Sequence, residues 1–271
     1  MVMRKISFIL SLAIFYIPLS FYGAELEKVE VNSLCYYINK ETKTAEVTQG
    51  QYDKIKKMLD ESNGTLEIPS VINVNEANYT ITSVGNSAFA EIYYFCVLNL
   101  PETLTSIGDE AFAKNKIDSL SIPDNVTTIG KAAFNDCLNT TSMTIGKGVK
   151  AIGAGAFHGM SSLRYVYVLS SEIPETTEYY SDFSNGDWTY VTLYVPSELV
   201  NAYRESQFPY WETVKDENIK ELENTTSIRR TRTYASQVVY YALDGHRIKT
   251  LQKGINIIHQ SDGTVRKEIV R

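Results

Sequence analysis

The sequence predicts a β-rich solenoid, a stack of similar coils along one axis, and three observations predict it. A phrase made of an apolar residue, Gly, two variable residues and Ala-Phe recurs as VGNSAF, IGDEAF, IGKAAF and IGAGAF. Its glycines (Gly85, Gly108, Gly130, Gly153) and phenylalanines (Phe89, Phe112, Phe134, Phe157) step together by 23, 22 and 23 residues. After each Phe comes a short alternating strand, Leu98-Asn99-Leu100-Pro101, Leu120-Ser121-Ile122-Pro123, Met143-Thr144-Ile145-Gly146 and Val166-Tyr167-Val168. One coil of this length cannot bury its own apolar face and must lean on its neighbours. A period in the low twenties is that of the leucine-rich solenoids. Function is then expected on a surface and not in a pocket.

The first element in chain order is a targeting segment. Arg4 and Lys5 precede an apolar run from Ile6 to Ile17, and the small residues Ser20, Gly23 and Ala24 follow before Glu25-Leu26-Glu27. That is the layout of a secretory signal peptide over residues 1–24, removed on export. The competing reading is a single membrane anchor, but Ser7, Ser11, Pro18 and Ser20 leave the run short and interrupted for a spanning helix. The first cysteine is Cys35, not one placed just after the apolar run where a lipoprotein needs it. The mature chain is expected to begin near Glu25, unlipidated and without an integral membrane span.

Within each coil the two faces of the strand separate by alternation. The Leu, Ile, Met and Val members point inward, while Asn99, Ser121, Thr144 and Tyr167 point out. Two positions earlier Val97, Ser119, Ser142 and Tyr165 also point out. Pro101 and Pro123 close their strands, where a missing N–H costs least. The inward set continues through Leu104, Val126 and Val149, then Ile107, Ile129 and Ile152, to the Phe ladder. Each glycine stands either where a side chain would collide or where a positive φ is required.

The pattern Leu-x-Ile-Pro-x-x-Val-x-x-Ile-Gly-x-x-Ala-Phe resembles the BspA-like class of leucine-rich repeats, found in many bacterial surface and secreted proteins. The resemblance runs over residues 34–215. Tyr36-Tyr37-Ile38, Thr44-Ala45-Glu46-Val47-Thr48, Leu66-Glu67-Ile68-Pro69 and Tyr79-Thr80-Ile81-Thr82-Ser83-Val84-Gly85 look like the leading segment of such proteins. Thr192-Leu193-Tyr194-Val195-Pro196, with Tyr203 and Trp211, is similar to their closing segment. It implies a right-handed coil of about four repeats over 64–168, an N-terminal cap over 25–63 and a C-terminal cap over 169–224. The stretch Gln49 to Asn63 is longer than the turn expected there, and its YDKIKKMLDES reads as a short helix.

The tail, residues 225–271, is a linker followed by a small β module. Asp244-Gly245 and Asp262-Gly263 are hairpin signals between alternating apolar runs. The pattern Tyr-x-Leu-Asp-Gly-x-Arg-Ile, then Lys253-Gly254-Ile255 and Gly263-Thr264-Val265-Arg266-Lys267, resembles C-terminal modules of exported Bacteroidetes proteins, some of which are type IX sorting signals. An ordinary hairpin tail fits the same residues, since Asn256 and His259 interrupt the usual apolar run.

Charge and chemistry narrow the function. The chain carries −6, yet the tail holds nine Lys or Arg against three Asp or Glu, so the body before residue 225 is acidic. An acidic body argues against nucleic acid. Three cysteines, Cys35, Cys96 and Cys137, are odd in number and unsuited to a disulfide framework. All three read as buried, with Cys137 at the site that Ile92 and Met160 occupy in other coils, and no zinc spacing is present. His158, His246 and His259 lie in no nucleophile–base motif. Gly146-Lys147-Gly148 falls at a repeat turn and lacks the strand-turn-helix setting of a phosphate loop. No catalytic site, metal or cofactor is expected.

Two functions survive. In the first, the outward strand residues Asn99, Ser119, Ser121, Ser142, Thr144, Tyr165 and Tyr167 bind a protein or glycan on a host or neighbouring cell. Tyr165 and Tyr167 lead this set, because Tyr combines apolar area with a hydrogen-bonding tip. Small polar residues also serve simply to keep an exposed sheet soluble. In the second, the chain is a structural spacer of the envelope. The resemblance supplies adhesion and a secreted, surface or periplasmic location; periodicity supplies only the solenoid.

Overall fold

The computed structural model describes residues 26–176, 188–205 and 214–222, and, as backbone strands, 239–242, 247–248, 254–259 and 265–270. The expected signal segment 1–24 and both Asp-Gly turns of the tail lie outside these residues.

An antiparallel meander opens the chain, β1 (Leu26–Val31), β2 (Leu34–Asn39) and β3 (Thr44–Thr48). Asn32 and Ser33 link the first two with φ of 50° and 68°, the paired left-handed geometry that a two-residue hairpin needs to match strand twist. The predicted helix forms as α1 (Tyr52–Glu61), and it packs by burying Ile55 and Leu59, one turn apart on one face. Next come β4 (Thr65–Glu67) and a hairpin of β5 (Val71–Val74) with β6 (Ala77–Val84), turned by Asn75 and Glu76 at φ 50° and 65°.

From there each coil contributes three hydrogen-bonded edges. The first holds the predicted strands: β7 (Val97–Asn99) pairs in parallel with β4, and β9 (Ser119–Ser121), β11 (Ser142–Ile145), β13 (Tyr165–Val168), β15 (Thr192–Val195) and β16 (Ile219–Glu221) form a five-stranded parallel sheet. The second is made of two-residue strands, β8 (Ser106–Ile107), β10 (Thr128–Ile129), β12 (Ala151–Ile152) and β14 (Glu175–Thr176), continuing the sheet begun by β3 and β6. The third follows the Ala-Phe turns, where the N–H groups of Phe89, Phe112 and Phe134 each donate to the Ala carbonyl before the next coil's Phe, at 2.8 Å. Backbone polar groups are thus satisfied by the coil before or after.

Inside, Phe89, Phe112, Phe134 and Phe157 stack in one column, with centroids 5.4, 5.2 and 6.0 Å apart and planes within 16° of parallel. Leu104, Val126 and Val149 and Ile107, Ile129 and Ile152 line the same core and are buried, as alternation predicts. The recurring glycines answer to collision. A Cβ on Gly130 would lie 2.5 Å from Asp109 N and from Gly108 C of the coil before. The left-handed residue of the phrase sits two places later, at Ser87, Glu110, Ala132 and Gly155.

One expectation changes. Cys96 is half-buried, unlike Cys35 and Cys137; it lies just ahead of β7, beside the Gly64 turn. Asn115 occupies the position of Ile92, Cys137 and Met160 and is nonetheless buried. Its Nδ2 donates to Phe89 O at 2.7 Å and Phe112 O at 2.9 Å, and its Oδ1 accepts from Tyr93 N. In the tail, β17 (Val239–Ala242), β18 (Arg247–Ile248), β19 (Gly254–His259) and β20 (Val265–Val270) form an antiparallel sheet in the order β18-β17-β19-β20.

Candidate binding face

The side chains named from the sequence do line the outer face of the first edge. Register aligns them in two rows. Ser119, Ser142, Tyr165 and Thr192 form one, and Ser121, Thr144, Tyr167 and Tyr194 form the other, with Lys220 of β16 beyond Tyr194. Their inward neighbours Leu120, Met143, Val166 and Leu193 are at most 3 % exposed, so the division of faces is sharp.

Six of the seven expected residues are contiguous on β9, β11 and β13. Asn99 stands apart on β7, beside Glu67 of β4, because strand pairing breaks between β7 and β9. The coils stay joined just ahead of the break, where Asp118 N donates to Cys96 O at 2.9 Å. One residue fewer separates Phe112 from Leu120 than separates Phe89 from Leu98, and the break coincides with that shorter coil.

Thr192 and Tyr194 belong to the face although sequence reasoning had placed them in a cap. Thr192-Leu193-Tyr194-Val195-Pro196 carries the same alternation and closing proline as Leu98 to Pro101, which is the signal that identifies them. The rings of Tyr167 and Tyr194 stack with centroids 4.9 Å apart and planes 10° from parallel. Burial, and then the neighbouring Tyr194 and Tyr165 phenols, push the Tyr167 phenol above its ordinary range, so it stays a neutral donor and acceptor. Tyr165 is 47 % exposed and has only Ser142 and Thr192 beside it in its row.

Exposed large side chains precede several of these strands along the chain. Among the described residues, the exposed large apolar side chains include Tyr93 and Tyr94 just ahead of β7, Leu138 ahead of β11 and Tyr190 ahead of β15. Tyr52 of α1 meets Tyr94 edge-on at 6.1 Å, and Lys56 Nζ lies 4.8 Å from the Tyr94 ring centroid.

The polar groups elsewhere serve the stack. Lys147 N donates to Asp124 Oδ1 at 3.2 Å and its Nζ lies 3.6 Å from Asp124 Oδ2, so the Gly-Lys-Gly turn is tied to the coil before it. Asn135 Nδ2 lies 3.0 Å from His158 Nδ1, which places the imidazole in the same inter-coil bonding.

Residues 69–185 match the BspA type leucine rich repeat region, in six copies. The chain carries BspA-type leucine-rich repeats. Four of its coils bear the full Gly-x-x-Ala-Phe phrase. Among solved structures, it is similar to a leucine-rich repeat protein of Bacteroides capillosus, at 17 % identity over 63 % of this chain and 99 % of that one, with a TM-score of 0.38. It is similar to the pneumococcal vaccine antigen PcpA at 16 % identity, over 56 % of this chain and 48 % of that one, TM-score 0.39. The leucine-rich repeat protein of T. pallidum aligns at 17 % identity, over 52 % of this chain and 71 % of that one, TM-score 0.39. No curated protein sequence matches the chain.

Proposed function

We propose that this is an exported, non-enzymatic binding protein of the secreted or cell-surface compartment, and that it engages a protein or glycan on a host or neighbouring cell through the outer strand face. The observation that carries the reading is the face itself. Hydroxyl-bearing side chains of β9, β11, β13 and β15 stand in two rows on a sheet whose backbone is already paired, and three tyrosines are concentrated at one end. Such aromatic anchors usually supply most of an interface's energy.

The test is an array of extracellular-matrix proteins and glycans probed with the mature chain and with a Tyr165→Ser/Tyr167→Ser variant. Binding should vanish in the variant while its unfolding midpoint falls by no more than a few degrees, the loss expected from the Tyr167–Tyr194 stack, because neither side chain enters the coil. If binding survives that change but disappears when residues 225–271 are removed, the solenoid is a spacer and the tail carries the interaction.

A further inference from the structure

We propose that the ligand of this face is a neutral, linear polysaccharide lying across the strands, with one sugar ring seated on the open ring of Tyr165. The inference rests on the reading of the strand face as the binding surface, and names its ligand class.

Charge is the first ground. The eight outward positions of β9, β11, β13 and β15 are Ser119, Ser121, Ser142, Thr144, Tyr165, Tyr167, Thr192 and Tyr194, none of them charged, in a chain that carries −6. An anionic glycan needs a basic face to offset its own charge. Against that charge these two rows bring one cation, Lys220 beyond Tyr194, and the acidic body repels such a ligand.

Hydrogen bonding is the second. Every one of those eight side chains ends in a hydroxyl, which both donates and accepts. Sugar hydroxyls have the same dual character, so the pairing is symmetric along a chain. An extended peptide would instead add to a sheet edge or need pockets for alternate side chains. Here β11, β13 and β15 are flanked on both sides and present no free edge.

Ring geometry is the third. Tyr167 is covered on one face by Tyr194, 4.9 Å away, so that pair offers edges and hydroxyls. Tyr165 has only Ser142 and Thr192 in register, side chains too short to cover a ring, and it remains 47 % exposed. Its face is free to take the apolar C–H face of a pyranose. Strands lie about 4.8 Å apart, close to the advance of one sugar in an extended chain, so successive sugars meet successive strands.

The mature full-length chain is titrated with cellohexaose, mannohexaose, chitohexaose and maltohexaose as neutral probes, and with heparin and gelatin as acidic-glycan and protein probes. At least one neutral oligosaccharide should bind, with affinity insensitive to salt. Tyr165→Ala should weaken it roughly tenfold or more, and Tyr165→Phe, which keeps the ring, should retain most of it; unchanged unfolding midpoints certify both variants. Binding of heparin or gelatin alone, lost in Tyr165→Ala, overturns the neutral-glycan assignment and leaves the strand face as the binding surface. Binding indifferent to Tyr165, or no binding of any probe, overturns both.

Discussion

Gly130 and Gly155 belong to the same repeated phrase and do different work. A Cβ at Gly130 would meet backbone atoms of the preceding coil at 2.5 Å, and those atoms are held by their own inter-coil bonds. Gly130→Ala should therefore cost at least about 2 kcal/mol through overpacking. Gly155 has a φ of +65° but open space, with His158 Cβ no nearer than 3.8 Å, and the equivalent position in the coil before is Ala132 at φ 52°. Gly155→Ala should cost only about 1 kcal/mol. Denaturant unfolding of the two variants reads the difference, and equal losses would mean that inter-coil contact is not what fixes the glycines. The buried acids make a second expectation. Burial pushes the Cys137 thiol from its ordinary 9.0 up to about 12, and burial, with a lesser contribution from Cys35, pushes the Tyr36 phenol from 10.0 up to about 12. Above pH 9 the unfolded chain sheds these protons first and binds fewer than the folded one, so stability should fall as pH rises from 9 toward 12. A midpoint flat across that window would contradict the burial of both groups. Asn115 is the residue that the sequence concealed. It interrupts an otherwise apolar position, and only the structure shows four backbone groups converging on its amide.

Among the elements, the legible ones were those with alternation or repetition long enough to see. Leu120-Ser121-Ile122 and its companions announce β9, β11 and β13, and the i, i+4 pair Ile55 and Leu59 announces α1. The second edge went unread because β8, β10 and β12 are two residues long and show one inward Ile each, too little for a period of two. β1 went unread for a different reason. Half of its LEKVEV is charged, as befits an edge strand that must not recruit another chain. Helix α1 offers a test at this level. Leu59→Ala should lose about 2–5 kcal/mol, whereas Lys57→Ala, on the solvent side, should change stability by no more than about 0.5 kcal/mol. Loss of comparable size in both would place the helix elsewhere than against the first coil. Most of the proposed binding face was legible as well. Its β9, β11 and β13 members follow from alternation, while Thr192 and Tyr194 were hidden by a longer connection, 27 residues from Val166 to Leu193, that breaks the period.

Taken as one molecule, the stack separates what holds it together from what it presents. The Phe column, the inward strand residues and the glycine contacts all pass stability from coil to coil, as in other repeat arrays where each unit leans on its neighbours. The outer strand face contributes little to that core and is free to carry recognition. Thermal unfolding of Phe134→Ala beside Tyr165→Ser tests this division most directly. Phe134 has one ring 5.2 Å away on one side and another 6.0 Å away on the other, so removing it should cost roughly 3–5 kcal/mol, a drop of many degrees in the midpoint, while Tyr165→Ser leaves the midpoint nearly where it was. An unshifted midpoint for Phe134→Ala, or an equal fall for Tyr165→Ser, would contradict the account.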